Sequence, residues 1–502
     1  MKTSDCVVAP ARRRPPVAIL GVPFDNVTKA EAISLIEQMI ESRHPHYLVT
    51  PNVDFLVQAR RDVELRRILL DAHLVLCDGT PLVWASRLLG NALPERVAGA
   101  DLVPLLMEIA ARKKYRLFLL GATPESAERA VARLRQRYPE LHIAGHYSPP
   151  FNPLLEMDHE EIKRRILLAQ PDLLFVSFGC PKQEKWVAMH YRSLGVPVTA
   201  GVGATIDFLA GQVRRAPVWM QRSGTEWVFR LIQEPRRLFR RYLTDLWVFG
   251  SSIFPQWWQL QVRRGPRPAL LPDLALDAAE VEQDKWRRIQ LSERLDVQSV
   301  QENAGLVEEN FRRGVHCVVD MSLTGFIDST GVGWLISLQK NLRAAGLKLV
   351  LLAPTPAVTR ALRLMRLTDF FEIVRDPSAV DALLTGTIEQ NGASPEQGGA
   401  TGETLVWRGE ITAANAESVW ELALPYLKRP CSSGHKTIDL SRVRFIDSTG
   451  LGLMIRAKKL SLSREESLKF VGLQPAVRNV IRLSRLESFL LGPPLVKEPQ
   501  AA

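Results

Sequence analysis

The chain has 502 residues, 46% hydrophobic and 24% charged, with 33 Pro and 31 Gly, which suits roughly two to four globular domains and excludes a collagen or a disulfide scaffold. No apolar run reaches the roughly 18–20 residues of a spanning helix, so a polytopic membrane protein is excluded too. The net charge of +11 fits nucleic acid, a phosphate-bearing substrate or an anionic membrane surface.

An N-terminal tail, 1–16, carries Arg12, Arg13 and Arg14. The apolar run after it, 17–24, is too brief for a signal-peptide core and reads as a first strand, so a cytosolic protein is expected. Five scattered cysteines (Cys6, Cys77, Cys180, Cys317 and Cys431), none in a CxxC pair, agree with a reducing compartment and no zinc site.

Residues 17–210 alternate short apolar runs (47–50, 73–77, 115–121, 172–179, 196–203) with helical patterns (54–70, 101–112, 124–138, 156–169, 182–193). Such alternation predicts an α/β domain with a mostly parallel, Rossmann-like sheet, whose ligands gather at the carboxyl ends of the strands. The segments just after the predicted strands are polar: Thr50-Pro51-Asn52, Cys77-Asp78-Gly79, Arg96 to Asp101, Gly121 to Glu125, Phe178 to Trp186, and Gly201 to Asp207 with Gly203 between. The junction after Gly121, with Thr123 as cap and Pro124 in the first turn, offers backbone amides to a diphosphate. Singly, Thr50, Asn52, Asp78 and Thr123 are as easily caps and turn formers, Gly121 is a routine glycine, and Lys182 and Glu184 are a solvated face. Together on one sheet edge they favour a site.

From 211 to 264 arginines crowd in among Trp219, Trp227, Trp247, Trp257 and Trp258, forming a basic helical appendage. A linker, 265–284, follows. The remainder holds an internal repeat: Phe326-Ile-Asp-Ser-Thr-Gly331 returns as Phe445-Ile-Asp-Ser-Thr-Gly450, and Pro356-Ala-Val as Pro475-Ala-Val. The repeat defines two small α/β domains, 285–385 and 403–495, separated by a polar linker, 386–402.

With Thr50-Pro-Asn52, Asp78-Gly79, Arg96-Val-Ala-Gly-Ala-Asp101, Phe178-Gly-Cys-Pro-Lys-Gln-Glu184, Gly201-Val-Gly203 with Asp207, Arg215-Ala-Pro217, and Glu226-Trp-Val-Phe-Arg230 in order, the stretch from 17 to 248 resembles the WecG/TagA/CpsF glycosyltransferases, family 26. The resemblance implies an inverting hexosyltransferase that moves a sugar from a UDP-sugar to a polyprenyl-diphosphate-linked sugar on the inner face of the cytoplasmic membrane. Pro81-Leu-Val83 leans towards the exopolysaccharide-type members. The resemblance implies Asp78 as catalytic base, with Thr50 and Asn52 in the same pocket and Arg96 and Gln183 at further pocket positions. Gly121, Gly203 and Asp207 join the expected substrate-binding set. No Asp-x-Asp motif occurs in this domain, so neither a metal nor a cofactor is expected, and arginine and helix-end amides are expected to absorb the charge of the leaving diphosphate.

Arg230, Arg237 and Arg240 fall at i, i+7 and i+10, one helical stripe expected to fold over that diphosphate. Trp247, Phe249, Phe254, Trp257 and Trp258 are expected at the lipid headgroups. The bland alternative is a solvated arginine face whose tryptophans cover another domain. No nucleic-acid module accompanies the charge, so nucleic acid is not an expected partner.

The repeated Asp-Ser-Thr-Gly resembles the STAS domain of anti-sigma-factor antagonists, which implies binding of protein partners, often switched by phosphorylation of Ser329 and Ser448. A phosphoryl group at a helix N-terminus would remodel a docking surface; alternatively Asp328 and Asp447 simply cap their helices. The leading expectation is a peripheral membrane glycosyltransferase tethered or regulated by tandem modules. The alternative is a non-catalytic signalling scaffold with a relic transferase domain.

Overall fold

The computed structural model describes residues 14–212, 216–223, 225–259, 286–301, 314–385, 392–396, 404–429 and 435–492. The linker 265–284, most of the tail 1–16, Arg214 and Arg215 lie outside the described residues. The chain opens with an antiparallel hairpin, β1 (Val17–Ile19) and β2 (Val22–Phe24). Its turn residues Leu20 and Gly21 both have positive φ, 50° and 85°, as a tight two-residue turn requires. The run expected as a single strand is therefore folded in half, and it stays apart from the main sheet.

Then come α1 (Lys29–Ser42), β3 (His46–Val49), α2 (Val53–Ala59), α3 (Val63–Asp71), β4 (Leu74–Val75), α4 (Thr80–Leu88), α5 (Gly99–Lys113), β5 (Arg116–Gly121), α6 (Pro124–Arg137) and β6 (His142–Tyr147). The domain is completed by α7 (His159–Ala169), β7 (Leu173–Ser177), α8 (Lys182–Leu194), β8 (Val198–Gly201) and α9 (Thr205–Ala210). The helix expected over 54–70 is two helices, because Asp62 Oδ1 accepts from Leu65 N at 3.0 Å and starts a new one.

Strands β3 to β8 form one six-stranded sheet in the order β4-β3-β8-β7-β5-β6, parallel throughout. Side chains alternate between its faces. Leu117, Leu119, Leu173 and Phe175 enter one core, while Phe118, Leu120, Leu174 and Val176 enter the other. Both faces are apolar, so both must be covered by helices, and all carboxyl ends lie along one rim.

The appendage is α10 (Val218–Ser223), α11 (Glu226–Gln233) and α12 (Pro235–Trp257). The arginine stripe expected to be continuous is broken between α11 and α12. Pro235 has no N–H to continue a helix and keeps the preceding residue out of the α region; Glu234 sits at φ −131°, ψ 60°. Arg230 therefore belongs to one helix and Arg237 and Arg240 to another.

The first repeat contains β9 (Trp286–Gln290), β10 (Arg294–Leu295), β11 (His316–Asp320), β12 (Phe326–Ile327), α13 (Ser329–Ala344), β13 (Leu349–Leu352), α14 (Pro356–Leu364), β14 (Glu372–Val374) and α15 (Ser378–Thr385). The second contains β15 (Gly392–Glu396), β16 (Thr404–Ile411), α16 (Ala416–Lys428), β17 (His435–Ile446), α17 (Ser448–Leu462), β18 (Ser467–Val471), α18 (Pro475–Leu483) and α19 (Glu487–Leu491). The stretch 386–402, expected to be only a linker, supplies β15, which pairs antiparallel with β16. Main-chain pairing needs no apolar pattern, so composition alone did not reveal it.

Both repeats pack on the first domain, and α3 carries much of the contact. From α3, Glu64 Oε1 accepts from the amide of Ser448 in the second module, and Arg67 pairs with Glu410. The Arg66 guanidinium reaches the Arg366 carbonyl of the first module. At the hairpin, a Cβ on Gly21 would lie 2.3 Å from the Met365 carbonyl oxygen, and one on Gly333 would lie 2.3 Å from that of Pro16. Contacts this close between backbones admit only glycine.

Candidate active site

One corner of the rim gathers residues from the ends of β3, β4 and β8. Asp78 follows β4, and its amide donates to the Pro51 carbonyl at 3.1 Å, which ties it to the loop after β3. Asn52 in that loop caps α2, with Oδ1 accepting from Phe55 N at 3.2 Å. A Cβ on Gly79 would lie 4.0 Å from Asn52 Cβ, and one on Gly99 would lie 3.4 Å from Thr50 Oγ1 and 4.0 Å from Thr205 Oγ1. Thr50, Asn52 and Asp78 therefore share one corner, with Thr205 from the end of β8.

Arg96 stands in the loop before α5. Its Nη2 lies 2.8 Å from Asp101 and its Nη1 3.0 Å from Glu226 of α11. Arg230, one turn further along α11, is 4.0 Å from Glu226 and lies over the Phe208 ring at 5.0 Å. Burial pushes the Asp78 carboxyl up to about 6; Arg96 and Arg230 pull it down, while Glu226 and Asp101 push it up. A carboxyl held there is ionised at neutral pH yet a better proton acceptor than a solvated aspartate. Among the described residues no group of three or more His, Cys, Asp or Glu is placed to hold a metal.

The description "Glycosyl transferase WecG/TagA/CpsF family" matches residues 17–263. Two relatives from Staphylococcus aureus, strains MW2 and NCTC 8325, are each 33% identical over 226 residues, 45% of this chain and 87% of the relative. Both are named N-acetylglucosaminyldiphosphoundecaprenol N-acetyl-beta-D-mannosaminyltransferase. This chain belongs to the WecG/TagA/CpsF glycosyltransferase family. Its repeats are STAS domains, matched over 279–379 and, as "Mlab, STAS domain", over 399–495. A solved structure of the anti-sigma factor antagonist SpoIIAA in its unphosphorylated form aligns at 24% identity over 22% of this chain and 96% of that one, with a TM-score of 0.20.

The remaining expected positions of this transferase lie elsewhere on the rim. Gln183 is buried and its amide is committed within the protein: Oε1 accepts from Gly179 N and Gly203 N, both at 3.2 Å, and Nε2 donates to Glu184 at 2.6 Å. It staples the loops after β7 and β8. Gly203, at φ 51°, has open space where a side chain would sit. Gly121 meets a packing demand, since a Cβ there would lie 2.4 Å from the Ser177 carbonyl oxygen. Asp207 accepts from Ser126 Oγ at 2.8 Å and joins α9 to α6.

Arg240 is exposed on α12, whereas the side chain of Arg237 lies outside the described residues. Of the aromatics expected at a membrane, Trp247, Phe254 and Trp258 are exposed, but Phe249 is buried and Trp257 packs against the core. Helical periodicity decides this split, since Phe249 falls on the inward face with Leu238, Ile253 and Gln256. Thr205, Asp101 and Glu226 were not singled out from sequence, although all three stood inside quoted segments.

Proposed function

We propose that this transferase moves a sugar from a nucleoside-diphosphate donor, with UDP-sugars the first candidates, to a hydroxyl of a polyprenyl-diphosphate-linked sugar, with inversion. The acceptor class is that named for the Staphylococcus aureus relatives. The grouping of Asp78, Thr50, Asn52, Arg96 and Arg230 at one corner of the sheet rim carries the proposal. Asp78 takes the acceptor proton as its oxygen bonds the anomeric carbon, and the bond from that carbon to the diphosphate breaks on the opposite face. The electron pair leaves with the nucleoside diphosphate, whose charge is met by Arg96 and Arg230.

The lipid-borne acceptor suits a chain that works on the inner membrane surface. No helix among the described residues is long and apolar enough to cross a membrane, but α12 presents an outward apolar stripe of Phe239, Leu243, Leu246, Trp247 and Phe254, continued by Trp258 just past its end. Arg236 and Arg240 flank it, exposed, in the manner of an interfacial helix. The STAS domains regulate by docking in cis: Ser329 is fully buried against Gln256 of α12 and Ser448 against Glu64. A phosphoryl group on either serine is incompatible with that docked arrangement.

The deciding experiment offers the purified chain a panel of nucleotide sugars with a synthetic polyprenyl-diphosphate sugar. Transfer by wild type and a loss of at least about 100-fold in Asp78→Asn, at unchanged melting temperature, supports the proposal. Undiminished turnover in Asp78→Asn removes Asp78 from the base role.

A further inference from the structure

Arg96 lies between two carboxylates from different parts of the fold. Asp101 belongs to α5 of the core, whereas Glu226 opens α11 of the appendage. Both carboxylates and the guanidinium are largely buried, with side-chain exposures of 15%, 10% and 18%. Charges this deeply buried depend on their partners, so pulling Glu226 away from Arg96 would leave both poorly compensated and the contact resists separation. A second tie, Arg241 to Asp54 at 2.5 Å, joins α12 to α2, the helix that Asn52 caps. Between these two ties, α11 holds Arg230 close enough for its charge to act on Asp78.

We propose that Glu226 is a positioning residue, which grips Arg96 and so seats the start of α11, with Arg230 one turn further along, on the rim of the sheet. This rests on the transferase proposal above. The groups acting on Asp78 are Arg96 from the loop before α5, Asp101 from α5, and Glu226 and Arg230 from α11. Three carboxylates thus face two guanidiniums, and losing one carboxylate changes the balance at the base.

The sign follows directly. Without the Glu226 charge, Arg96 and Arg230 act on Asp78 less opposed, so its carboxyl ionises at lower pH. Glu226→Gln keeps an acceptor for Arg96 but no charge. Glu226→Ala removes both.

The test uses the full chain and two readouts. In the pH dependence of kcat/KM, Glu226→Gln is expected to move the acid limb down by about half a unit to one unit. In hydrogen exchange, Glu226→Ala is expected to speed exchange of 226–233 at least about tenfold, with exchange of α13 and α17 unchanged. An acid limb that stays in place overturns the electrostatic part, and unchanged exchange of 226–233 overturns the positioning part. If wild type transfers no sugar, the transferase proposal fails, while the exchange comparison still decides whether Glu226 places α11.

Discussion

The amide of Ser448 donates to Oε1 of Glu64, so a carboxylate of the transferase domain stands at the N-terminus of the second STAS domain's signature helix. Glu64 in turn is held by Lys185 at 2.8 Å. Asp447, which caps the same helix through Thr449 N and Gly450 N, therefore shares a buried interface with a second acid. Burial, then Glu64, push the Asp447 carboxyl up to about 7, against the opposing pull of the amides it accepts from.

A raised carboxyl makes docking of this module pH-dependent. The folded chain holds the Asp447 proton more tightly than an unfolded chain, where a carboxyl titrates near about 4. Its contribution is complete below that range and is lost as pH rises through about 7. Asp447→Asn keeps an acceptor for the cap but has no charge to repel Glu64. The melting temperature of wild type is expected to fall from pH 5.5 to 8 by more than that of Asp447→Asn. Equal falls in scanning fluorimetry would show that this pair does not govern docking.

Charge at the two signature serines tests docking from the other side. Ser329→Glu places a carboxylate in a fully buried position against Gln256, and Ser448→Glu places one beside Glu64. Each is expected to detach its own module, since an unpaired buried charge costs several kcal/mol, more than one surface contact returns. Small-angle scattering should show a larger radius of gyration for either variant, and Ser→Ala controls should match wild type. A radius unchanged in both Glu variants would mean that the docked arrangement tolerates charge there.

Much of the fold was legible because its signals are local. The five runs expected as strands between 47 and 203 are apolar, and the repeat carries its Asp-Ser-Thr-Gly in full. The strand ends gave Thr50, Asn52 and Asp78, whose placement depends only on sheet topology. The docking of the modules was not legible, because Glu64, Arg66 and Arg67 look like any solvated helix face until another domain covers them. β6 was missed because the edge strand His142–Tyr147 has no unbroken apolar run. Pro235 was visible, yet an arginine spacing that ran across it took precedence over the proline's steric rule.

Gln183 shows how a motif residue acts through others. Its amide satisfies Gly179 N, Gly203 N and one oxygen of Glu184. Gln183→Ala strands these groups, at about 1–3 kcal/mol for each buried one left unpaired, and should lower the melting temperature by several degrees. Gln183→Glu sets a second carboxylate against Glu184, whose own carboxyl is pushed up to about 7 by burial. Its defect is expected to grow from pH 5 to pH 8 as Glu184 ionises, whereas that of Gln183→Ala stays nearly flat. Parallel behaviour of the two variants would argue against a direct Gln183–Glu184 contact.

The outward stripe of α12 lets the proposed membrane contact be tested apart from folding. Leu243 and Trp247 are 59% and 77% exposed, so neither supports the core, and their apolar surface gains only where something apolar meets it. Leu243→Glu with Trp247→Glu is expected to leave the melting temperature within about 2 °C of wild type. Its partitioning onto vesicles of phosphatidylglycerol and phosphatidylcholine should drop at least about tenfold, because two apolar anchors become charges repelled by an anionic surface. Phe249→Glu reverses the pattern, since that side chain is buried and a charge there unfolds the contact with α2 before it affects binding. If wild type and the double variant pellet equally with these vesicles, the stripe does not face lipid, and the basic residues beside it need another partner.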